Sequence, residues 1–292
     1  MFKRFIVATD LSPASFAVVN CLGVLKAYGA QQCLLLQCLS VQEVASVALH
    51  YDSSALNANL MQQKEILEAH GFAVEARTVP GFAKQEINRV ASDEDYELIV
   101  IGTQGHSLIY EMTLGGVAAG VIHSASKPVL LIPVQKQPGE TNECEPVSRC
   151  NFTEHVLFPT DFSETADHAF EHVKGFATKG AKHITLLHVQ DKSRIEPHLS
   201  HRLEQFNEID QSRLEWMKDA LSKNGSPEID IVLSYGSPLI EILRLIRERN
   251  VHLVVMGSQG RGFVKEIFLG SVSHNVARQS HAPILLIPAR ER

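Results

Sequence analysis

The residues best suited to chemistry form a glycine–serine array near the C-terminal end. Gly257-Ser-Gln-Gly260-Arg261-Gly262 is followed, with nine residues intervening after Gly260, by Gly270-Ser271-Val272-Ser273. Glycine permits turns with positive φ and lets a phosphate approach the main chain with no Cβ in the way. If a helix opens at Ser271, its first N–H groups and its dipole favour an anion there. The hydroxyls of Ser271 and Ser273 are expected to add donors, and Arg261 a charge-assisted contact. Asp161 ends an apolar run and is expected to face the same crevice. Taken singly these signals are unspecific, because strand-to-helix turns use glycine anyway and a strand-end Asp also serves as a helix N-cap.

A weakened version of the array occurs earlier in the chain. Gly102-Thr-Gln-Gly105 is followed after nine residues by Gly115-Gly116, so a glycine stands where the later array has Ser271, and His106 stands where it has Arg261. Losing one hydroxyl donor to phosphate costs on the order of 1–2 kcal/mol, and losing the fixed charge adds to that. Asp10, Gly102, Gly105 and Gly115 are therefore read as a degenerate site, left to weak binding, another ligand or a structural role.

Both arrays belong to a duplication. Phe5-Ile-Val-Ala-Thr-Asp-Leu-Ser12 returns as Val156-Leu-Phe-Pro-Thr-Asp-Phe-Ser163. Glu97-Leu-Ile-Val-Ile-Gly-Thr-Gln-Gly105 returns as His252-Leu-Val-Val-Met-Gly-Ser-Gln-Gly260. Lys127-Pro-Val-Leu-Leu-Ile-Pro133 returns as Ala282-Pro-Ile-Leu-Leu-Ile-Pro288. Three matched blocks in one order, each copy long enough to bury its own core, predict two domains, 1–136 and 151–292. The polar, Pro- and Gly-containing stretch 137–150 between them reads as a linker.

Short β-branched runs, Phe5 to Ala8, Cys33 to Leu39, Leu98 to Ile101 and Val129 to Ile132, predict strands buried on both faces. Helices are predicted over Ser53 to His70 and His201 to Asn224, the latter stopped at Gly225. Another is predicted to start at Ser237-Pro238, with Leu239, Ile242, Leu243 and Ile246 on its apolar face. Strands alternating with such helices imply right-handed crossovers and a doubly wound parallel sheet. Its ligand crevice lies beyond the carboxyl ends of the strands.

Composition narrows the classes. The chain has 292 residues, 45% apolar and 21% charged, with a formal net charge of −6. That balance offers no general attraction for nucleic-acid phosphates. Asp10 interrupts the N-terminal apolar run short of a signal-peptide core, and no segment is long enough to span a bilayer, so a cytoplasmic protein is expected. Five cysteines without a CxxC pair read as incidental thiols, and the 14 histidines as scattered, with no ligand pair on one helix face. No dedicated metal cage is expected. A Gly-x4-Gly-Lys-Ser/Thr P-loop, a Gly-x-Ser-x-Gly elbow and a Gly-x-Gly-x-x-Gly turn after either first strand are all missing, which disfavours fast ATP hydrolysis, α/β-hydrolase chemistry and dinucleotide oxidoreduction.

The Thr-Asp-Phe-Ser start, the Gly-x2-Gly-x9-Gly-Ser segment and the Ala-Pro-Ile-Leu-Leu-Ile-Pro ending together resemble the universal stress protein family, and the resemblance covers both halves. It implies two tandem copies of a five-stranded parallel-sheet domain, Rossmann-like and similar to adenine nucleotide α-hydrolases. ATP with Mg²⁺ would lie across the strand ends of the second copy. Asp161 would lie on the nucleoside side, and Val189 would touch adenine. Met256, Gly257, Gly260, Gly270, Ser271, Val272 and Ser273 would cradle ribose and phosphates. The resemblance also implies pairing of the two domains through their last strands, and it allows a homodimer. The function expected is stress-response regulation by adenine nucleotide, with slow or no hydrolysis. The alternatives are a scaffold of the same fold that binds no nucleotide and, more weakly, an ATP-dependent transferase.

Overall fold

The computed structural model describes residues 1–40, 53–104, 114–136, 144–147, 150–196, 200–260 and 269–290. The chain divides into two compact units, Met1–Cys150 and Asn151–Arg292. Each is a five-stranded parallel α/β domain.

In the first unit the order is β1 (Arg4–Thr9), α1 (Pro13–Cys21), β2 (Gln32–Leu39), α2 (Ser53–Ala69), β3 (Ala73–Pro80), α3 (Ala83–Asp93), β4 (Leu98–Gly102), α4 (Gly116–Ser124) and β5 (Val129–Ile132). A 3₁₀ helix, Leu22–Tyr28, follows α1. The strands line up as β5-β4-β1-β2-β3, every neighbouring pair parallel. Phe5, Ile6, Leu34, Leu35, Leu98 and Val100 are fully buried, as unbroken apolar runs on interior strands require. The edge strand β3 instead alternates, and its Arg77 forms ion pairs with Glu75 and Glu94. That alternation is why no apolar run marks it in the sequence.

The second unit repeats the plan with β8 (His155–Thr160), α5 (Glu164–Thr178), β9 (His183–Asp191), a short α6 (Lys192–Ile195), α7 (Leu203–Ser222), β10 (Glu228–Gly236), α8 (Pro238–Glu248), β11 (Leu253–Gly257), α9 (Ser271–Gln279) and β12 (Ile284–Ile287). Its strands run β10-β9-β8-β11-β12, again all parallel. Helix α8 buries Ile242, Leu245 and Ile246, each worth about 1.5–3 kcal/mol against exposure. Leu239 and Leu243 lie half-buried at its margin. Ser237 holds the N-cap position of α8, but its side chain makes no capping hydrogen bond. Gly225, just past α7, has φ +151°, and a Cβ there would sit 2.4 Å from the Ala177 carbonyl oxygen.

Two expectations are corrected here. Part of the stretch read as a linker is built onto the first unit: β6 (Val134–Lys136) pairs antiparallel with β7 (Cys144–Pro146). Cys150 then forms a disulfide with Cys21 at the end of α1, across a sequence separation of 129. Two of the thiols read as incidental are therefore paired. Cysteine spacing alone could not show this, because the partners meet only through the fold. Among the described residues no helix is long and apolar enough to cross a membrane.

Candidate functional site

Strand order reverses direction between β8 and β11, the place where an open α/β sheet leaves a crevice at its strand ends. A cavity of about 560 Å³ lies there, wholly within the second unit. Asp161, Val189, Met256, Gly257, Gly260, Gly270, Ser271, Val272 and Ser273 all line it. The described residues of the intact array thus meet at one opening. Arg261, and in the first copy Gly105 and His106, lie outside the described residues.

The Thr-Asp-x-Ser turn is a hydrogen-bonded device found in both copies. Thr160 Oγ1 accepts from the Phe162 amide at 3.0 Å, and Asp161 Oδ1 accepts from the Ser163 amide at 3.1 Å. Thr9 and Asp10 do the same for Leu11 and Ser12, at 3.0 Å each. These bonds hold Phe162 and Leu11 at φ +57° and +60°, a region unfavourable for side chains of their size. Ser163 and Ser12 are the N-caps of α5 and α1. The aspartates are therefore not the caps themselves. They brace the capping residue with one oxygen, and Asp161 presents Oδ2 toward Gly260.

The described glycines of the array serve close approach rather than positive φ. None of Gly102, Gly115, Gly257, Gly260 and Gly270 is among the positive-φ positions. A Cβ on Gly257 would lie 2.9 Å from Thr165 Cγ2 and 3.1 Å from the Gln259 carbonyl oxygen. On Gly260 it would lie 2.6 Å from Asp161 Oδ2, and on Gly270 3.3 Å from the Ser258 carbonyl oxygen. The last contact follows from the hydrogen bond by which Gly270 N–H donates to that same oxygen at 2.8 Å, tying the start of α9 to the end of β11.

Helix α9 begins at Ser271 with Gly270 as a cap that offers no side chain. Its first turn of N–H groups has no acceptor within the helix, which suits an anion. Ser271 is exposed at the cavity edge, whereas Ser273 is buried and its hydroxyl donates to the Gly257 carbonyl oxygen at 2.8 Å. The expectation of two ligand-facing hydroxyl donors is corrected on this point. Ser273 spends its proton bracing strand against helix.

The first copy lacks both serines: Gly116 and Ala118 stand at the positions of Ser271 and Ser273. A Cβ on Gly116 would meet nothing within 4 Å, so this glycine is not demanded by space. Cys38 holds the place of Val189, and burial, followed by the charge of Glu86, pushes its thiol up to about 11. On α2, Gln63 is fully buried and accepts from Thr9 Oγ1 at 2.7 Å while donating to Ser15 Oγ at 3.1 Å.

The structure also adds wall residues that no motif announced. His188, Gln190, Asp210 and Arg213 line the second-unit cavity, brought together by β9 and α7. Among the described residues no group of three or more His, Cys, Asp or Glu could hold a metal ion. A histidine pair at helical spacing does exist, contrary to expectation: His168 and His172 on α5, ring centroids 5.6 Å apart. His168 Nδ1 lies 3.2 Å from the Pro288 carbonyl oxygen, and burial pushes His172 down to about 4.

Comparison with known proteins agrees with the duplication and the fold. A sequence model of the universal stress protein family matches residues 1–133 and 153–288. A universal stress protein of Methanocaldococcus jannaschii is 36% identical over 151 residues, spanning 45% of this chain and 93% of its own. One from Mycolicibacterium smegmatis is 23% identical over 226 residues, covering 76% of this chain and 71% of its own. The crystal structure of a universal stress protein from Archaeoglobus fulgidus superposes with a TM-score of 0.70 at 25% identity, covering 99% of each chain. With two matched regions accounting for most of its length, this chain belongs to the universal stress protein family.

Proposed function

We propose that the second domain binds ATP and that the protein regulates a stress response through the occupancy of that site, with slow or no hydrolysis. One observation carries the reading. The glycine–serine turn, the start of α9, Asp161 and the end of β9 line a single cavity whose volume, about 560 Å³, suits a nucleotide. A Cβ at Gly260 or Gly270 would intrude on this cradle. Phosphates would be held by the α9 N–H groups and Ser271, and the ribose by Asp161. Mg²⁺ would arrive with the phosphates, since the described protein groups form no cage for it. The described cations of the wall are Arg194 and Arg213, with no lysine placed as a P-loop would place it. That favours retention of the nucleotide over rapid turnover. In the first domain the missing hydroxyls at Gly116 and Ala118 support a degenerate site.

Calorimetric titration of nucleotide-stripped protein with ATP and Mg²⁺ tests this, run beside Gly270→Val and Gly115→Val variants. Micromolar binding abolished only by Gly270→Val is the expected result. No heat from intact, folded protein would leave the scaffold reading in its place.

A further inference from the structure

Helix α7 buries Asp210, Leu214, Met217 and Leu221 on one face, so a carboxylate occupies a core-facing position in line with three apolar residues. Burying an ionised carboxylate is costly unless it is paired. Asp210 is only partly provided for. Its Oδ2 accepts from Gln190 Nε2 at 3.0 Å and faces His188 Nε2 at 3.5 Å. His188 Nδ1 sits 2.7 Å from the Thr160 carbonyl oxygen, so that nitrogen carries the proton and donates. Asp210 Oδ1 accepts no hydrogen bond from the described residues, and its cation, Arg213 Nη1, is 3.8 Å away.

The fold does not ask for this group. Aligning the helix ends His70-Gly71 and Asn224-Gly225 sets Leu60 against Leu214 and Leu67 against Leu221, and it sets Leu56 against Asp210 and Asn59 against Arg213. Strand register likewise matches Gln37 with His188 through their partners Thr9 and Thr160. The copy without the two serines thus keeps polar residues, Gln37 and Asn59, at the places of His188 and Arg213, but it has Leu56 where the other has the Asp210 carboxylate and Leu39 where the other has Gln190. A residue dispensable for folding, placed on a cavity wall in the copy that keeps its anion-binding turn, points to the ligand.

We infer that Asp210 determines base specificity by accepting a hydrogen bond from the exocyclic amine of adenine; this rests on the reading of the second domain as an ATP site. An ionised carboxylate only accepts, so its partner on the ligand must donate. Right-handed crossovers place α7 with α5 on one face of the sheet and α9 with α8 on the other. A nucleotide with phosphates at α9 therefore extends its base toward α7. On adenine the exocyclic amine is the only N–H donor, because the ring nitrogens accept or are bonded to the ribose.

The test compares ATP with purine riboside 5′-triphosphate, which has the same ring and phosphates without the amine, in full-length protein and in Asp210→Leu and Asp210→Asn variants. Unaltered protein is expected to prefer ATP by roughly 10- to 100-fold, the loss caused by leaving a buried acceptor unsatisfied. Asp210→Leu, the residue the first copy carries, should bring the ratio near one by weakening ATP alone. Asp210→Asn keeps an acceptor and should retain part of the preference. Equal affinities in unaltered protein, an unchanged ratio in Asp210→Leu, or GTP binding as tightly as ATP would overturn the inference while leaving the nucleotide site standing. Binding of no nucleotide by folded protein would overturn both.

Discussion

The Gly260 backbone lies so close to the Asp161 carboxylate that a methyl group in place of the glycine hydrogen would come to 2.6 Å from Oδ2. The obstacle is the tip of a side chain, which can rotate away at the expense of its position in the cavity. At Gly257 the obstacles include the Gln259 carbonyl oxygen and the Thr165 main chain, which cannot. The two alanine variants should therefore separate. Gly260→Ala is expected to weaken ATP about tenfold or more through the lost Asp161 contact, with stability reduced by about 1 kcal/mol. Gly257→Ala should instead cost about 1–3 kcal/mol of stability by overpacking. Urea unfolding and nucleotide titration of both variants check this; equal stability losses would refute the distinction.

Gly116 is exposed, has open space around it and opens α4 with ordinary helical φ. Gly116→Ser should be accepted and should stabilise the first domain by about 0.5 kcal/mol, mainly by restricting the unfolded chain. It restores the first missing hydroxyl but leaves Ala118 and the leucine at position 56 in place. On a Gly270→Val background, where the second site is silenced, Gly116→Ser is expected to yield no ATP binding. Titration showing micromolar binding would mean that a single hydroxyl separates the two copies.

The disulfide between Cys21 and Cys150 closes a loop of more than a hundred residues around the first sheet. Cross-linking so long a loop restricts the unfolded chain and typically stabilises by about 2–4 kcal/mol. Reduction, or Cys150→Ser, should lower the urea midpoint of the first domain by a corresponding amount and leave the second unchanged. Mass spectrometry under non-reducing conditions should find the two peptides linked. A midpoint insensitive to reductant in protein shown to be oxidised would contradict the expected contribution.

Much of this fold was legible because duplication displays each signal twice. Thr-Asp-x-Ser and Gly-x2-Gly recur with the strands that carry them, and buried central strands announce themselves as apolar runs. What escaped had no local mark. Strand β3 lies at a sheet edge and alternates with polar residues such as Arg77, so no run betrays it. The Cys21–Cys150 pair and the β6–β7 ladder depend on chain segments far apart or outwardly polar. At the site, the glycines were found from spacing, and of the two reasons given for them, positive φ and room for a phosphate, the described ones do not use the first; the neighbours that also forbid a Cβ, from α5 and the Asp161 turn, have no mark in the local sequence. His188, Gln190 and Asp210 went unnoticed since none belongs to a repeated motif: His188 and Gln190 sit at the polar end of the β9 run, and Asp210 lies among the many polar residues of α7, where nothing local marks it as core-facing.

Burial holds His172 at about 4, with His168 on the preceding turn acting in the same direction. In the unfolded chain the same imidazole takes a proton near 6.5. Its folded-state value is therefore depressed, and the unfolded state binds the proton first as pH falls. The stability associated with neutral His172 is complete above about pH 7 and is lost between about 6.5 and 4. The full loss is about 3 kcal/mol, with about 2 kcal/mol gone by pH 5. His155, also held down chiefly by burial, adds to the loss in the same direction. The single tryptophan, Trp216, sits on α7 with its ring 6.5 Å from Phe170, so its fluorescence reports unfolding of the second domain alone. Urea titrations at pH 7.5 and pH 5.0, in unaltered protein and in His172→Gln, should show the drop between the two pH values reduced by about 2 kcal/mol in the variant. Equal drops in the two proteins would show that His172 is protonated in the folded state and that the α5 face admits the charge.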